Sequence, residues 1–111
     1  MSDGPIPSDY LQQLAPEVAA SFKEMRIHIG EGPLDYETRE YVIIGGFALM
    51  GYEIPFRIHT ARMFERNVPI ENIRHALLSL LGASAPLYPI VRALKWLDEV
   101  AAEAAANKKT S

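Results

Sequence analysis

Apolar residues recur every three or four positions along most of this chain, which is the spacing of amphipathic α-helices. Before residue 27 this pattern predicts two short helices or one kinked helix, with Ser8 as the N-cap and Pro16 as the residue that restarts the helix. The glycines and proline of residues 28–34 predict a connector. Because no alternating strand pattern of any length is present, the chain is predicted to be all-α.

Further helices are predicted in the rest of the chain. Asp35 is expected to cap a helix that ends near Met50, and Gly45 and Gly46 within it indicate close approach of another backbone. Asn67 is expected to take the left-handed conformation after the next helix. The later helices are predicted at 53–66, from Pro69 to 81, and from Leu87 or Tyr88 onward after the break at 82–86. Five to six short helices in a compact bundle are therefore expected, held by mutual packing.

Composition limits the classes of protein to consider. The 111 residues predict one domain, 1–111, with a flexible lead-in at 1–7 and a frayed tail at 104–111. The net charge of −3 and the lack of a basic stripe argue against nucleic acid as a partner. The longest apolar run, 42–51, is shorter than the roughly 20 residues of a membrane span, and the first residues do not resemble a secretory signal. A cytoplasmic protein without a membrane partner is expected.

His59 and Glu40 are the candidate catalytic residues. His59 lies among apolar residues in a predicted helix, where a histidine is either a packed core residue or a functional one. Glu40 precedes Ile44 and Phe47 on one helix face, so it is either directed inward or a solvated charge paired with a basic residue. An inward carboxyl group that keeps its proton would serve as a proton donor.

Arg57 is harder to assign to the same site. It precedes His59 by two residues, which is roughly 200° around a helix, so the two side chains cannot share one narrow face. Glu53 is placed to pair with Arg57 one turn later or with His59. Because no pair of histidines has the spacing of a helical metal site, no metal is predicted.

Three segments carry a family pattern. They are 37–44 (ETREYVII), 53–61 (EIPFRIHTA) and 67–73 (NVPIENI). Over residues 34–100 the chain resembles the carboxymuconolactone decarboxylase family, which shares its fold with alkylhydroperoxidase D. The resemblance implies a helical fold assembled as a ring-shaped homo-oligomer, often a trimer or hexamer.

The peroxidase branch of that family has two cysteines before the histidine, and their positions correspond here to Tyr52 and Pro55. Since the chain has no cysteine, no thiolate can attack a peroxide, which leaves the decarboxylase branch. Two departures from this branch leave the substrate open: the family's Tyr-x-Gly-x-Pro is replaced by GASAP at 82–86, and its turn glycine by Asn67.

The resemblance implies a carboxy-lyase that acts without a cofactor on a small carboxylated lactone or a related carboxylic acid. His59 would be the electrophilic donor or acid, and Glu40 its orienting partner or the proton donor. Arg57 or Arg62 would hold a substrate carboxylate, and Tyr52 occupies the position of a reactive residue. One alternative is a non-catalytic helical protein that keeps the fold for assembly or ligand binding. Another is a hydrolase or isomerase of a related lactone with the same residues.

Overall fold

The computed structural model describes residues 7–110, and the side chains of residues 8–108. Over that range the chain forms six α-helices and no strand, which confirms the all-α prediction. The helices are α1 (Pro7–Leu14), α2 (Pro16–Gly30), α3 (Tyr36–Met50), α4 (Glu53–Glu65), α5 (Ile70–Leu78) and α6 (Leu87–Thr110). The chain divides into two compact units, of which the first ends at Asp35.

The first unit consists of α1 packed against α2. Pro16 is the first residue of α2, as expected from its fixed φ angle. The helix carries an apolar stripe at Val18, Phe22 and Met25, yet none of its residues is buried, and Phe22 is 53% exposed. Within the first unit, the packing of α1 therefore leaves the apolar face of α2 uncovered.

Two boundaries in this unit differ from the sequence prediction. Because α1 begins at Pro7, Ser8 lies inside the helix and the prediction of an N-cap there is wrong. Since α2 continues through Gly30, the connector begins three residues later than predicted. On the added turn the His28 ring lies 3.3 Å from the Glu31 carboxylate. Of the predicted lead-in at 1–7, residues 1–6 lie outside the described residues.

The second unit packs α3, α4, α5 and α6 around one apolar core. α4 contacts α3 and α6, while α5 packs against the same two helices. The largest apolar side chains removed from solvent are Ile44, Phe56, Met63, Ile73, Leu77, Ile90 and Leu97. Each such burial stabilises the fold by roughly 1.5–3 kcal/mol. This core fixes α3 against α4 and so sets the geometry of the candidate site.

The turns of the second unit largely follow the predicted breaks. Asn67 has a φ of 64°, which confirms the left-handed residue after α4. Pro69 precedes α5 and is not its first residue. The predicted break at 82–86 is part of a turn that contains a bridge between Leu81 and Ala85.

α6 is the longest helix, with 24 residues. It begins at Leu87, one of the two predicted starts, and continues to Thr110, whereas fraying was expected from residue 104. Its alanine-rich second half favours this continuation because alanine has the highest helix propensity. Within residues 7–110, no helix is both long enough and apolar enough to cross a bilayer.

The glycines of α3 have different surroundings. Gly45 is buried, and a Cβ there would lie 3.3 Å from Leu80 Cδ1, so a side chain and not a backbone approaches it. A Cβ on Gly46 would have no neighbour within 4 Å. The expected close approach of a backbone is therefore wrong at both positions. Gly51, just after α3, has a φ of 74°, and its absent Cβ makes room for Arg92.

We expect Gly46→Ala to stabilise the protein and Gly51→Ala to destabilise it. Alanine at position 46 reduces the entropy of the unfolded chain and causes no clash in the folded one. The free energy of unfolding should therefore rise by about 0.5–1 kcal/mol. Alanine at position 51 is strained at positive φ, at a cost of about 1–2 kcal/mol, and its Cβ would lie 2.9 Å from Arg92 Nη2. Urea unfolding of both variants measures the two effects, and a less stable Gly46→Ala would contradict the open environment of Gly46.

Candidate functional site

The candidate site centres on Glu40 of α3 and His59 of α4. An oxygen of the Glu40 carboxylate, Oε1, lies 2.7 Å from Nδ1 of His59. Glu40 is only 5% exposed because it shares its helix face with fully buried Ile44. The His59 side chain remains 25% exposed, although Thr60 beside it is fully buried. A buried carboxylate therefore holds an imidazole that solvent still reaches.

This contact decides the orientation of Glu40, which the sequence leaves open. Glu40 is directed inward, and its partner is a histidine instead of a lysine or arginine. His59 is neither fully packed nor free. An ionised carboxylate only accepts hydrogen bonds, so Nδ1 of His59 donates to Glu40, and Nε2 is then the ring atom that exchanges a proton with another molecule. Such an oriented imidazole is a suitable general acid or base.

Aromatic side chains flank the imidazole. The ring of Phe47 lies 5.3 Å from the His59 ring at a tilt of 56°, which limits the rotation of His59. The ring of Tyr52 lies 6.4 Å from that of Phe47, and the Tyr52 residue is 51% exposed. Tyr52 therefore contacts the site only through Phe47.

Two arginines, Arg62 and Arg66, have their charges near Tyr36. Arg62 follows His59 by three residues on α4 and so lies on a neighbouring part of the helix surface. Arg66 Cζ lies 3.8 Å from the centre of the ring of Tyr36. Tyr36 is one helical turn before Glu40 on α3. Burial and the Glu40 carboxylate raise the pKa of Tyr36 above 10.0, and the positive charges of Arg66 and Arg62 oppose this rise. Tyr36 therefore keeps its proton beside a positively charged surface.

The structure does not bring Arg57 to this pair. Its Nε donates to Glu53 Oε2 at 2.8 Å, which confirms the pairing expected one turn apart, and its Nη2 donates to Glu99. These hydrogen bonds, above all the one to Glu99, raise the pKa of Arg57 despite partial burial. Arg57 thus joins α4 to α6.

Two cavities occur on the second unit. One has a volume of about 470 Å³ and is lined by Arg57 and Arg92, and the other has a volume of about 620 Å³ and is lined by Phe64 and Val100. Neither contains His59 or Glu40 in its lining. In the described part of the chain, no three His, Asp or Glu side chains form a group that could hold a metal ion.

Comparisons with protein-family models, with curated proteins and with solved structures give no significant match to this chain. The family assignment made from the sequence therefore stays a prediction.

Sequence reasoning missed two residues of this surface and one in the first cavity. Tyr36 is four residues before Glu40, and Arg66 is seven residues after His59, so helical spacing could have placed both near the pair. Arg92 is the charged residue in the otherwise apolar segment LYPIVRAL of α6. A single charge in an apolar segment could have marked it as a candidate functional residue.

We expect Glu40 and His59 to be strongly coupled in stability. A double-mutant cycle with Glu40→Ala and His59→Ala should give a coupling free energy of about 0.5–3 kcal/mol. Either single change leaves one polar partner of a largely buried hydrogen bond unsatisfied. The matched control is the exposed pair of Arg74 and Asp98, 2.9 Å apart, with an expected coupling of about 0.2–1 kcal/mol. Urea unfolding measures both cycles, and additive effects at Glu40 and His59 would contradict the contact.

Proposed function

We propose that Glu40 and His59 form the acid–base centre of a cofactor-free decarboxylase-like enzyme. Its substrate would be a small carboxylated lactone or a related carboxylic acid, as the resemblance to the carboxymuconolactone decarboxylase family implies. The observation that carries the proposal is the 2.7 Å contact between the buried Glu40 carboxylate and His59 Nδ1. It leaves Nε2 of a partly exposed imidazole to act on a substrate.

In the proposed reaction the bond between the carboxylate carbon and the substrate breaks and CO2 leaves. The electron pair moves toward the lactone carbonyl, whose oxygen becomes an enolate. Protonated His59 donates a hydrogen bond to this oxygen and then supplies the proton that ends on carbon, while ionised Glu40 stabilises the imidazolium. One proton taken up from solvent restores His59, so the cycle balances.

Arg62 is the better candidate for binding a second carboxylate of the substrate. It lies on the His59 side of α4, and its charge reaches Tyr36 next to Glu40. Arg57, by contrast, already binds two carboxylates of the protein. An exposed guanidinium forms paired hydrogen bonds with a carboxylate. Tyr52 would border the substrate from the solvent side.

The test measures CO2 release from a panel of carboxylated lactones and β-keto acids. We expect turnover by the wild type and a loss of about 100-fold or more in kcat for His59→Gln, the scale of general acid–base catalysis. Arg62→Gln should mainly raise KM, by about tenfold, because it removes a charge-assisted contact to the substrate.

The matched control is Arg74→Gln, which removes an exposed guanidinium on α5 and should leave turnover unchanged. Circular dichroism checks that every variant is folded. No turnover on any substrate of the panel, or equal turnover by His59→Gln and the wild type, would contradict the proposed decarboxylase activity.

The alternative role in assembly has its own supporting observation. α2 has an apolar stripe but no buried residue, so α1 leaves its apolar face uncovered within the first unit. We propose that further copies of this chain cover it in a homo-oligomer, a trimer or hexamer as the resemblance implies. Assembly is compatible with catalysis, because a neighbouring subunit could also exclude water from the open site.

We expect light scattering to give a mass of three or six times 12.4 kDa for the wild type. Phe22→Lys should dissociate the assembly, because it places a charge in the centre of the apolar stripe of α2. Gln13→Lys, at an exposed position of α1, is the control and should leave the mass unchanged. A wild-type mass of one chain would refute the assembly.

A further inference from the structure

The cavity of about 470 Å³ between α4 and α6 is a second candidate site. We propose that it binds a small planar carboxylic acid, aromatic or conjugated, whose carboxylate pairs with Arg92. His59 and Glu40 do not line this cavity, so the inference is independent of the decarboxylase proposal.

The charge of Arg92 lacks an acidic partner. Of the two arginines in the lining, Arg57 is neutralised by Glu53 and Glu99. Arg92 has no ion pair with any described residue, and its only hydrogen bond there is a long one of 3.4 Å from Nη2 to the Ala48 carbonyl. Its Nε is buried without a hydrogen-bond partner, which costs free energy. An incoming carboxylate would supply the missing counter-charge at the terminal nitrogens.

Packing, not an ion pair, holds the guanidinium in place. Its Cζ lies 5.2 Å from the centre of the Tyr88 ring and 5.3 Å from that of Trp96, and all three residues share one face of α6. On the other side, Nη2 occupies space that a side chain at position 51 would need, since a Cβ on Gly51 would lie 2.9 Å away. A planar fork of donors fixed in this way is preorganised for a carboxylate.

The remaining lining favours an acid with a flat apolar body. Tyr88, Val91 and Trp96 give the cavity aromatic and aliphatic walls, and Tyr88 is 72% exposed. Lys95 adds a second cation without an ion pair to the described residues. Because both carboxylates of the lining already bind Arg57, the cavity has an excess of positive charge. Its volume lies in the range of about 300–1,000 Å³ that is usual for small-molecule sites.

Trp96 is the only tryptophan of the chain, so its fluorescence reports on this cavity. The probes are benzoate and its neutral analogue benzamide, which has nearly the same shape. We expect a saturable change with benzoate and none with benzamide. Arg92→Gln should weaken benzoate binding by about tenfold or more, and Lys95→Gln by about threefold. Arg74→Gln, which removes a guanidinium outside the cavity, should bind benzoate like the wild type.

Three results would overturn the proposal. They are an equal response to benzoate and benzamide, unchanged benzoate binding by folded Arg92→Gln, and competition by inorganic phosphate as strong as that by benzoate. Arg92→Lys, which keeps the charge but loses the planar fork, guards against misfolding of the glutamine variant and should also bind benzoate more weakly. His59→Gln should bind benzoate normally, so failure of the decarboxylase proposal would leave this result unaffected.

Discussion

The hydrogen bond between Glu40 and His59 is the constraint on which the candidate site depends. It joins the buried faces of α3 and α4 at a point where a carboxylate without a partner would be costly. Ile44 and Phe56 bring the two helices together through the apolar core, so packing sets the distance across which the bond forms. The same contact thus satisfies a buried charge and orients an imidazole, which links the stability of the core to its chemistry.

α4 separates two different electrostatic environments. The side with His59 and Arg62 faces Glu40 and the positively charged surface around Tyr36. The side with Arg57 faces α6, where ion pairs close the helix contact and leave the charge of Arg92 without a partner. A helix that exposes charged groups on both sides of a buried stripe can serve two ligand sites without direct contact between them.

Helical spacing accounts for much of what could be predicted at the candidate site. Because Glu40 shares the face of Ile44, an inward direction was one of two alternatives that the sequence allowed, and the roughly 200° between Arg57 and His59 correctly separated those two side chains. Helical spacing could not predict the pairing of Glu40 with His59, which spans 19 residues and two helices, and only the family resemblance implied it. The position of Arg92 was equally hidden, since it depends on the left-handed turn at Gly51 in another part of the chain.

The sequence by itself determined the helical class and most helix boundaries. These features depend on local backbone preference and on a periodicity of 3.6 residues, both of which are written in neighbouring residues. Only the tertiary structure decided which polar groups meet: His59 with Glu40, Arg57 with Glu99, and Arg92 with no carboxylate at all. Such pairings depend on how helices pack across the core, and that packing is set by the shapes of side chains far apart in the chain.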